Sequence, residues 1–213
     1  MAATQGRRGR SDDDRADHSE ADRIIDAALA LIADQGWRRV SLAAVAAEEG
    51  LSVLQVYRQF PSRTAILCGL LRRVDGAALA VPLDAEAEAK PRDRVFDLLM
   101  RRFDALQPHR GVLEALRRDL ASDPGAALAL GSALLGSIRL TLDAAGIVNY
   151  GIGGTLAVKL TTAAYLAAAH TWARDESPDL APTMATLDRR LRGIERWLVP
   201  VARREGRMTQ AEA

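Results

Sequence analysis

The sequence predicts an all-α fold in which a small helical unit precedes a larger one. Alanine and leucine dominate the 213 residues, apolar residues recur at three- and four-residue steps, and alternating runs of β-branched residues are lacking. Hydrophobic residues make up 48% of the chain and charged residues 27%, as in an ordinary globular protein. Wholesale disorder is therefore excluded.

The sequence also indicates the cellular compartment of the protein. Cys68 is the single cysteine, so an internal disulfide and a disulfide-stapled secreted scaffold are excluded. Residues 1–15 are polar and lack the apolar segment of a signal peptide. The longest uncharged stretches, 124–138 and 147–158, are shorter than the roughly 20 apolar residues that a membrane span needs. We expect a cytoplasmic protein without membrane insertion.

Breaks in the apolar pattern divide the chain into four segments. Residues 1–18 mix arginine with aspartate and cannot bury apolar area, which predicts a flexible arm. Such an arm can reach a DNA minor groove, although its acids cancel its positive charge. The front helical unit is predicted at 19–76, the larger rear unit at 77–204 and a tail at 205–213.

Helix ends are marked by serine caps and by glycine or proline stops. In the front unit the cap-and-stop pairs are Ser19 with Gly36, Ser41 with Gly50, Ser52 with Pro61, and Ser62 at the start of a fourth helix. In the rear unit the pattern predicts helices at about 92–106, 110–121, 124–145, 153–173 and 180–199, with Asp123 capping the helix that starts at Pro124.

The front unit contains the layout of a helix-turn-helix at residues 41–63. Two short helices meet at a turn that contains Gly50, and the second helix of such a corner can lie in a major groove. Ser52 and Gln55 form a capping box that fixes where this second helix begins. The sequence therefore predicts a three-helix, helix-turn-helix domain in front of a helical bundle, although short helical corners also occur in proteins that do not bind DNA.

The outward face of that second helix carries side chains suited to DNA. Glutamine and arginine bind adenine and guanine edges, while hydroxyl and basic groups hold phosphates. We predict base contacts from Gln55, Arg58 and Gln59 and phosphate contacts from Ser41, Tyr57, Ser62 and Arg63. Two alternatives stay open. The Gln55 side chain can have no role beyond closing the capping box, and the Arg58 side chain can have no role beyond making that face of the helix soluble. Residues 20–76 also carry seven arginines and seven acids, fewer net positive charges than most DNA-binding modules have.

A set of motifs with fixed order and spacing extends over about 55 residues of the front unit. Its segments are 24–37, 41–46, 50–52 and 56–63, the last containing Tyr57-x-x-Phe60-Pro61-Ser62-Arg63. This set resembles the DNA-binding domain of TetR-family regulators. The resemblance implies a homodimer that binds a palindromic operator through its third helix, with a ligand pocket in the C-terminal helices. It thus implies transcription regulation, which we expect to be repression relieved by a small hydrophobic effector.

The sequence departs from the TetR pattern on the face that reads DNA. Val53 and Leu54 follow Ser52 where the family usually has a polar and then a small residue, and Ala43 stands where an arginine often contacts DNA. Valine and leucine can touch thymine methyl groups, so Ser52, Val53 and Leu54 join the predicted DNA-binding set.

The rear unit offers candidates for a ligand pocket and for a dimer face. The pocket candidates are Phe96, Met100, Phe103, Leu113, Leu116, Leu134, Ile138, Lys159 and Trp172, although plain core packing explains the apolar ones equally well. The dimer candidates, at alternating four- and three-residue steps, are Leu180, Met184, Leu187, Leu191, Ile194 and Leu198. Filling the core of a single protomer explains the same spacing.

A second resemblance gives an alternative function. Residues 159–160, 165–166, 172–179 and 187–191 are similar to the lipid-binding accessory family of ubiquinone biosynthesis, which has the TetR fold without its DNA role. Catalysis finds little support, because three histidines and one cysteine leave few pairs of nucleophile and base and no metal motif occurs. We predict neither an enzyme nor a cofactor.

Overall fold

The computed structural model describes the backbone of residues 5–81 and 90–200 and the side chains of residues 20–81 and 90–200. The described residues form helices and no β-strand, and an isolated β-bridge joins Ile147 to Pro200. The all-α prediction is confirmed. The helices are α1 (Gln5–Gln35), α2 (Leu42–Glu49), α3 (Val53–Gln59), α4 (Arg63–Leu79), α5 (Pro91–Leu106), α6 (Arg110–Leu120), α7 (Pro124–Ala144), α8 (Gly151–Trp172) and α9 (Ala181–Ile194).

Serine caps set the starts of the short helices as predicted. The hydroxyls of Ser41, Ser52 and Ser62 accept hydrogen bonds from the backbone N–H three residues later at 3.1, 3.2 and 3.1 Å. Gly50 ends α2 with φ of 67°, a left-handed conformation that side chains with a Cβ disfavour.

Two helix boundaries differ from those predicted. Helix α1 begins at Gln5 instead of after Ser19, so the backbone of residues 5–18 continues the helix where an arm was predicted. Propagation from a formed helix adds one hydrogen bond per residue, and this stretch contains no proline to stop it. Helix α9 ends at Ile194 in a 3₁₀ turn instead of reaching residue 199. Residues 1–4 of the arm and the whole 205–213 tail lie outside the described residues.

The chain forms two compact units. The first joins residues 5–81 with residues 101–137, and the second joins residues 90–100 with residues 138–200. In the first unit α1 packs against α2, α4 and α6, and α2 packs against α3. Val56 and Phe60 are the buried residues that fix α3 to this core.

In the second unit α8 packs along α9. The stripe predicted as the dimer face forms this contact instead, because Leu180, Leu187, Leu191 and Leu198 are at most 6% exposed within one protomer. That part of the prediction is wrong: four- and three-residue spacing defines an apolar face but not the helix that covers it. Ile194 is half-buried and Met184 is 40% exposed.

Helices α7 and α8 are long and apolar enough to cross a membrane by length and composition alone. Core helices of water-soluble proteins have the same properties, and nine residues of α8 are buried.

Candidate nucleic-acid interface

The start of α3 is held by a reciprocal capping box. Ser52 donates its backbone N–H to Gln55 Oε1 at 2.9 Å and its hydroxyl to the same oxygen at 2.7 Å. The backbone N–H of Gln55 in turn donates to Ser52 Oγ at 3.2 Å. Gln55 therefore closes the cap, one of the two roles left open by the sequence, while its side chain remains exposed.

The outward face of α3 is unusually apolar. Val53, Leu54 and Tyr57 are 48%, 57% and 54% exposed, and Arg58 is exposed beside them. Gln59 is half-buried. Large exposed apolar side chains grouped on so short a helix are typical of a surface that meets a partner.

The charge around α3 is more favourable to DNA than the neutral total suggests. Helix α3 carries one charged residue, Arg58, and no carboxylate. Within the described residues the Arg58 side chain has no hydrogen bond or ion pair. Two acids of the front unit form ion pairs: Glu49 binds Arg23 at 2.8 Å and Asp26 binds Arg73 at 2.7 Å.

The predicted phosphate ligands divide into two groups. Ser41, Tyr57 and Ser62 are exposed, and the serine hydroxyls also cap helices. Arg63 instead turns to the protein, where its Nη2 donates to Asp123 Oδ2 at 2.9 Å. Its guanidinium also lies 4.5 Å from the ring centroid of Trp37 and donates to the Trp37 carbonyl oxygen at 3.1 Å.

Two carboxylates complete the cluster around Arg63. Asp119 Oδ2 accepts the backbone N–H of Trp37 at 2.8 Å, and Asp123 Oδ2 accepts its indole Nε1–H at 3.2 Å. The N–H of Ala126, then that of the Trp37 indole, and then the nearby guanidinium hold the pKa of Asp123 below its usual value. Sequence reasoning assigned Asp123 only to the cap of α7, which Ala126 N–H confirms at 3.0 Å. No local pattern identifies partners 60 and 86 positions apart in the chain.

A buried polar network joins α4 to α5 and α7. The Asp75 carboxylate accepts hydrogen bonds from the guanidinium of Arg102, which is fully buried, and from the hydroxyl of Ser137 at 2.7 Å. Sequence analysis missed all three residues, because charged residues within an amphipathic helix ordinarily face solvent.

The predicted pocket residues belong to both units. Phe103, Leu116, Ile138 and Trp172 are fully buried, whereas Phe96, Met100, Leu113 and Leu134 are half-buried. Lys159 is exposed on α8. It lines an open groove with Ile152 and Thr155.

A second open groove, of about 420 Å³, lies at the start of α8, where Tyr150, Trp197 and Val199 line it. Among the described residues there is no group of three or more histidine, cysteine, aspartate or glutamate side chains that could hold a metal ion.

These features define a helical protein with an N-terminal helix-turn-helix domain. Residues 24–68 match the family of bacterial regulatory proteins called the tetR family. This match covers the front domain of the chain, which is therefore similar to the DNA-binding domain of that family.

Solved structures have the same fold. One is a TetR transcriptional regulator from Nitrosomonas europaea, which is 23% identical, with 84% of this chain and 99% of that chain covered and a TM-score of 0.63. Another, from Rhodococcus sp. RHA1, is 22% identical, with 85% and 97% covered and a TM-score of 0.60. No protein of curated function matches the sequence.

Proposed function

We propose that the protein is a homodimeric repressor that binds palindromic operator DNA through α3 and is released by a small hydrophobic effector. The observation that carries this proposal is the outward face of α3, where Val53, Leu54 and Tyr57 are exposed together with Arg58, whose side chain has no hydrogen bond or ion pair among the described residues. A carboxylate-free helix that presents apolar groups and one guanidinium fits the major groove, which offers thymine methyl groups and guanine acceptors.

Each part of the face has a role in this proposal. Arg58 binds the O6 and N7 of a guanine, and Val53 and Leu54 pack against thymine methyl groups. Gln55 and Gln59 face neighbouring base edges, with Gln55 contributing its amide N–H groups because its oxygen serves the cap. Phosphates are held by the exposed hydroxyls of Ser41, Tyr57 and Ser62. Arg63 is omitted from the phosphate set because the protein itself binds its guanidinium.

A homodimer is needed because two recognition helices must lie about 34–36 Å apart to enter successive major grooves. With the apolar stripe of α9 buried, we place the dimer face on the outward side of α8. Its exposed residues follow helical spacing and are Ile152, Thr155, Lys159, Ala163, Leu166 and His170. Ile152 is 92% exposed and Leu166 is 52% exposed, which favours a second chain as their cover.

Release by an effector follows from a population shift. A ligand that prefers a different spacing of the two recognition helices lowers DNA affinity by its differential binding to the two states. Half-buried Leu113 on α6 and Leu134 on α7 are the proposed contacts with such an apolar ligand.

Selection of bound fragments from sheared genomic DNA at moderate salt tests this proposal. We expect the purified chain to enrich a palindrome, and a variant with Arg58→Ala and Tyr57→Ala to lose that enrichment. No enrichment, together with isoprenoid lipid that co-purifies, would instead support the lipid-carrier alternative. The matched control is Arg72→Ala, an exposed arginine on α4.

A further inference from the structure

A single carboxylate joins the first turn of α7 to the helix-turn-helix. Asp123 Oδ1 accepts the N–H of Ala126 at 3.0 Å and so caps α7. Its other oxygen, Oδ2, accepts from Arg63 Nη2 at 2.9 Å and from the Trp37 indole at 3.2 Å. Because both oxygens belong to one rigid group, the start of α7 and the Arg63 guanidinium have a fixed relative position.

Arg63 occupies a sensitive place in the DNA-binding domain. It is the first residue of α4, and the segment 60–62 alone separates it from the end of α3. Its planar guanidinium is fixed from two sides, by the Trp37 ring and by Asp123, and the two ion-pair side chains are only 34% and 27% exposed. A partly buried, multiply bonded arginine holds its orientation better than a surface ion pair does.

Asp119, near the end of α6, adds a second attachment. Its Oδ2 accepts the backbone N–H of Trp37 at 2.8 Å. Gly36 leaves room for this approach, because a Cβ at that position would lie 3.1 Å from the same oxygen, and its φ of 80° also favours glycine. We call Asp119 and Asp123 the α6–α7 clamp.

We propose that the α6–α7 clamp is the contact through which the effector-binding helices set the orientation of α3. This inference rests on the proposed function and names the residues that regulate it. A shift of α7 displaces Asp123, which is its cap, so Arg63 either follows or loses its ion pair. In both cases the attachment of Arg63, the first residue of α4, changes only four residues after the end of α3. The binding of DNA and of effector are thereby coupled through one ion pair.

The first experiment uses Asp123→Ser in the full-length, DNA-free chain. Serine keeps the cap of α7 but is too short to reach Arg63. The control is Glu114→Gln, which removes another carboxylate of α6, bound to Arg117 within the same helix. Hydrogen exchange followed by mass spectrometry reports each segment. We expect exchange of residues 53–67 to become several-fold faster in Asp123→Ser, with α8 unchanged and the control equal to the parent.

Equal exchange of residues 53–67 in variant and parent would overturn the proposal, and so would an equal acceleration in every helix. Because this experiment needs no DNA, its result still tests the role of the α6–α7 clamp even if the parent enriches no operator and the proposed function is wrong.

The second experiment adds the selected operator. In the parent, DNA binding should slow exchange in the first turns of α7, because coupling between two sites is reciprocal. We expect this protection to disappear in Asp123→Ser. Protection of α7 that persists in Asp123→Ser would show that coupling bypasses the clamp and would contradict the proposal.

Discussion

Gln55 Oε1 accepts both polar hydrogens of Ser52, the backbone N–H at 2.9 Å and the hydroxyl at 2.7 Å. This pair fixes Val53 as the first residue of α3, and the rest of the helix follows from its 3.6-residue period. Val56 therefore lies in the core, while Arg58 emerges on the outer side. The orientation of the proposed reading face thus depends on a cap that a four-residue segment encodes.

Arg58→Ala should relax sequence specificity. Loss of a bidentate guanine contact costs about 1–3 kcal/mol of discrimination at one base pair. We expect this loss in competition binding with operators mutated one position at a time. Arg72→Ala, which changes an exposed arginine outside α3, should retain the discrimination of the parent. Identical discrimination by Arg58→Ala and the parent would remove Arg58 from the reading face.

Leu166→Glu should convert the proposed dimer to a monomer. A charged side chain in the middle of the outward face of α8 cannot be buried against a second copy without a large desolvation cost. Sedimentation equilibrium at micromolar concentration measures the mass. Leu128→Glu is the matched control, because Leu128 is 78% exposed on α7, outside the proposed face. A Leu166→Glu dimer as stable as the parent would place the interface elsewhere.

Asp75→Ala should destabilise the first unit strongly. Removal of Asp75 leaves the fully buried Arg102 without its carboxylate, and breaking a buried ion pair typically costs about 3–5 kcal/mol. Urea unfolding measures this cost. Asp22→Ala removes an exposed partner 3.8 Å from Arg73 and should cost less than about 1 kcal/mol. Equal unfolding midpoints for the two variants would contradict this assignment.

The ionised Asp175 carboxylate should stabilise the folded protein, and acid should remove this stabilisation. Burial raises the pKa of its carboxyl, but hydrogen bonds from Ser177 and Thr183 outweigh burial and lower the pKa to about 2. Because the folded-state pKa lies below the ordinary value of 3.8, the contribution is complete above that value and is lost as the pH falls through about 2.

Measuring the free energy of unfolding of the parent and of Asp175→Asn at several pH values tests this pH dependence. The stability difference between them should be constant near neutral pH and should shrink between pH 4 and pH 2. Asp179→Asn, at an exposed carboxylate of the same turn, should follow the parent. A difference that stays constant down to pH 2 would contradict the role of the Asp175 hydrogen bonds.

Local signals account for what the sequence could predict. Caps such as Ser41, Ser52 and Asp123 involve bonds between residues three positions apart, so their residue types alone indicate them. Partners distant in sequence leave no such trace. The carboxylate that binds Arg63 is 60 residues away, and the apolar stripe of α9 does not specify whether α8 or a second chain covers it. Sequence therefore predicted the helices and their caps but not the attachments between helices.

The DNA-reading role of α3 is tested most directly by the ratio of two affinities, for the selected operator and for a scrambled duplex of equal composition, at one moderate salt concentration. We predict that the chain binds the operator at least about 10³-fold more tightly, as specific DNA-binding proteins do. Equal affinities that both fall steeply with added salt would show only phosphate attraction and would contradict the proposal that α3 reads bases.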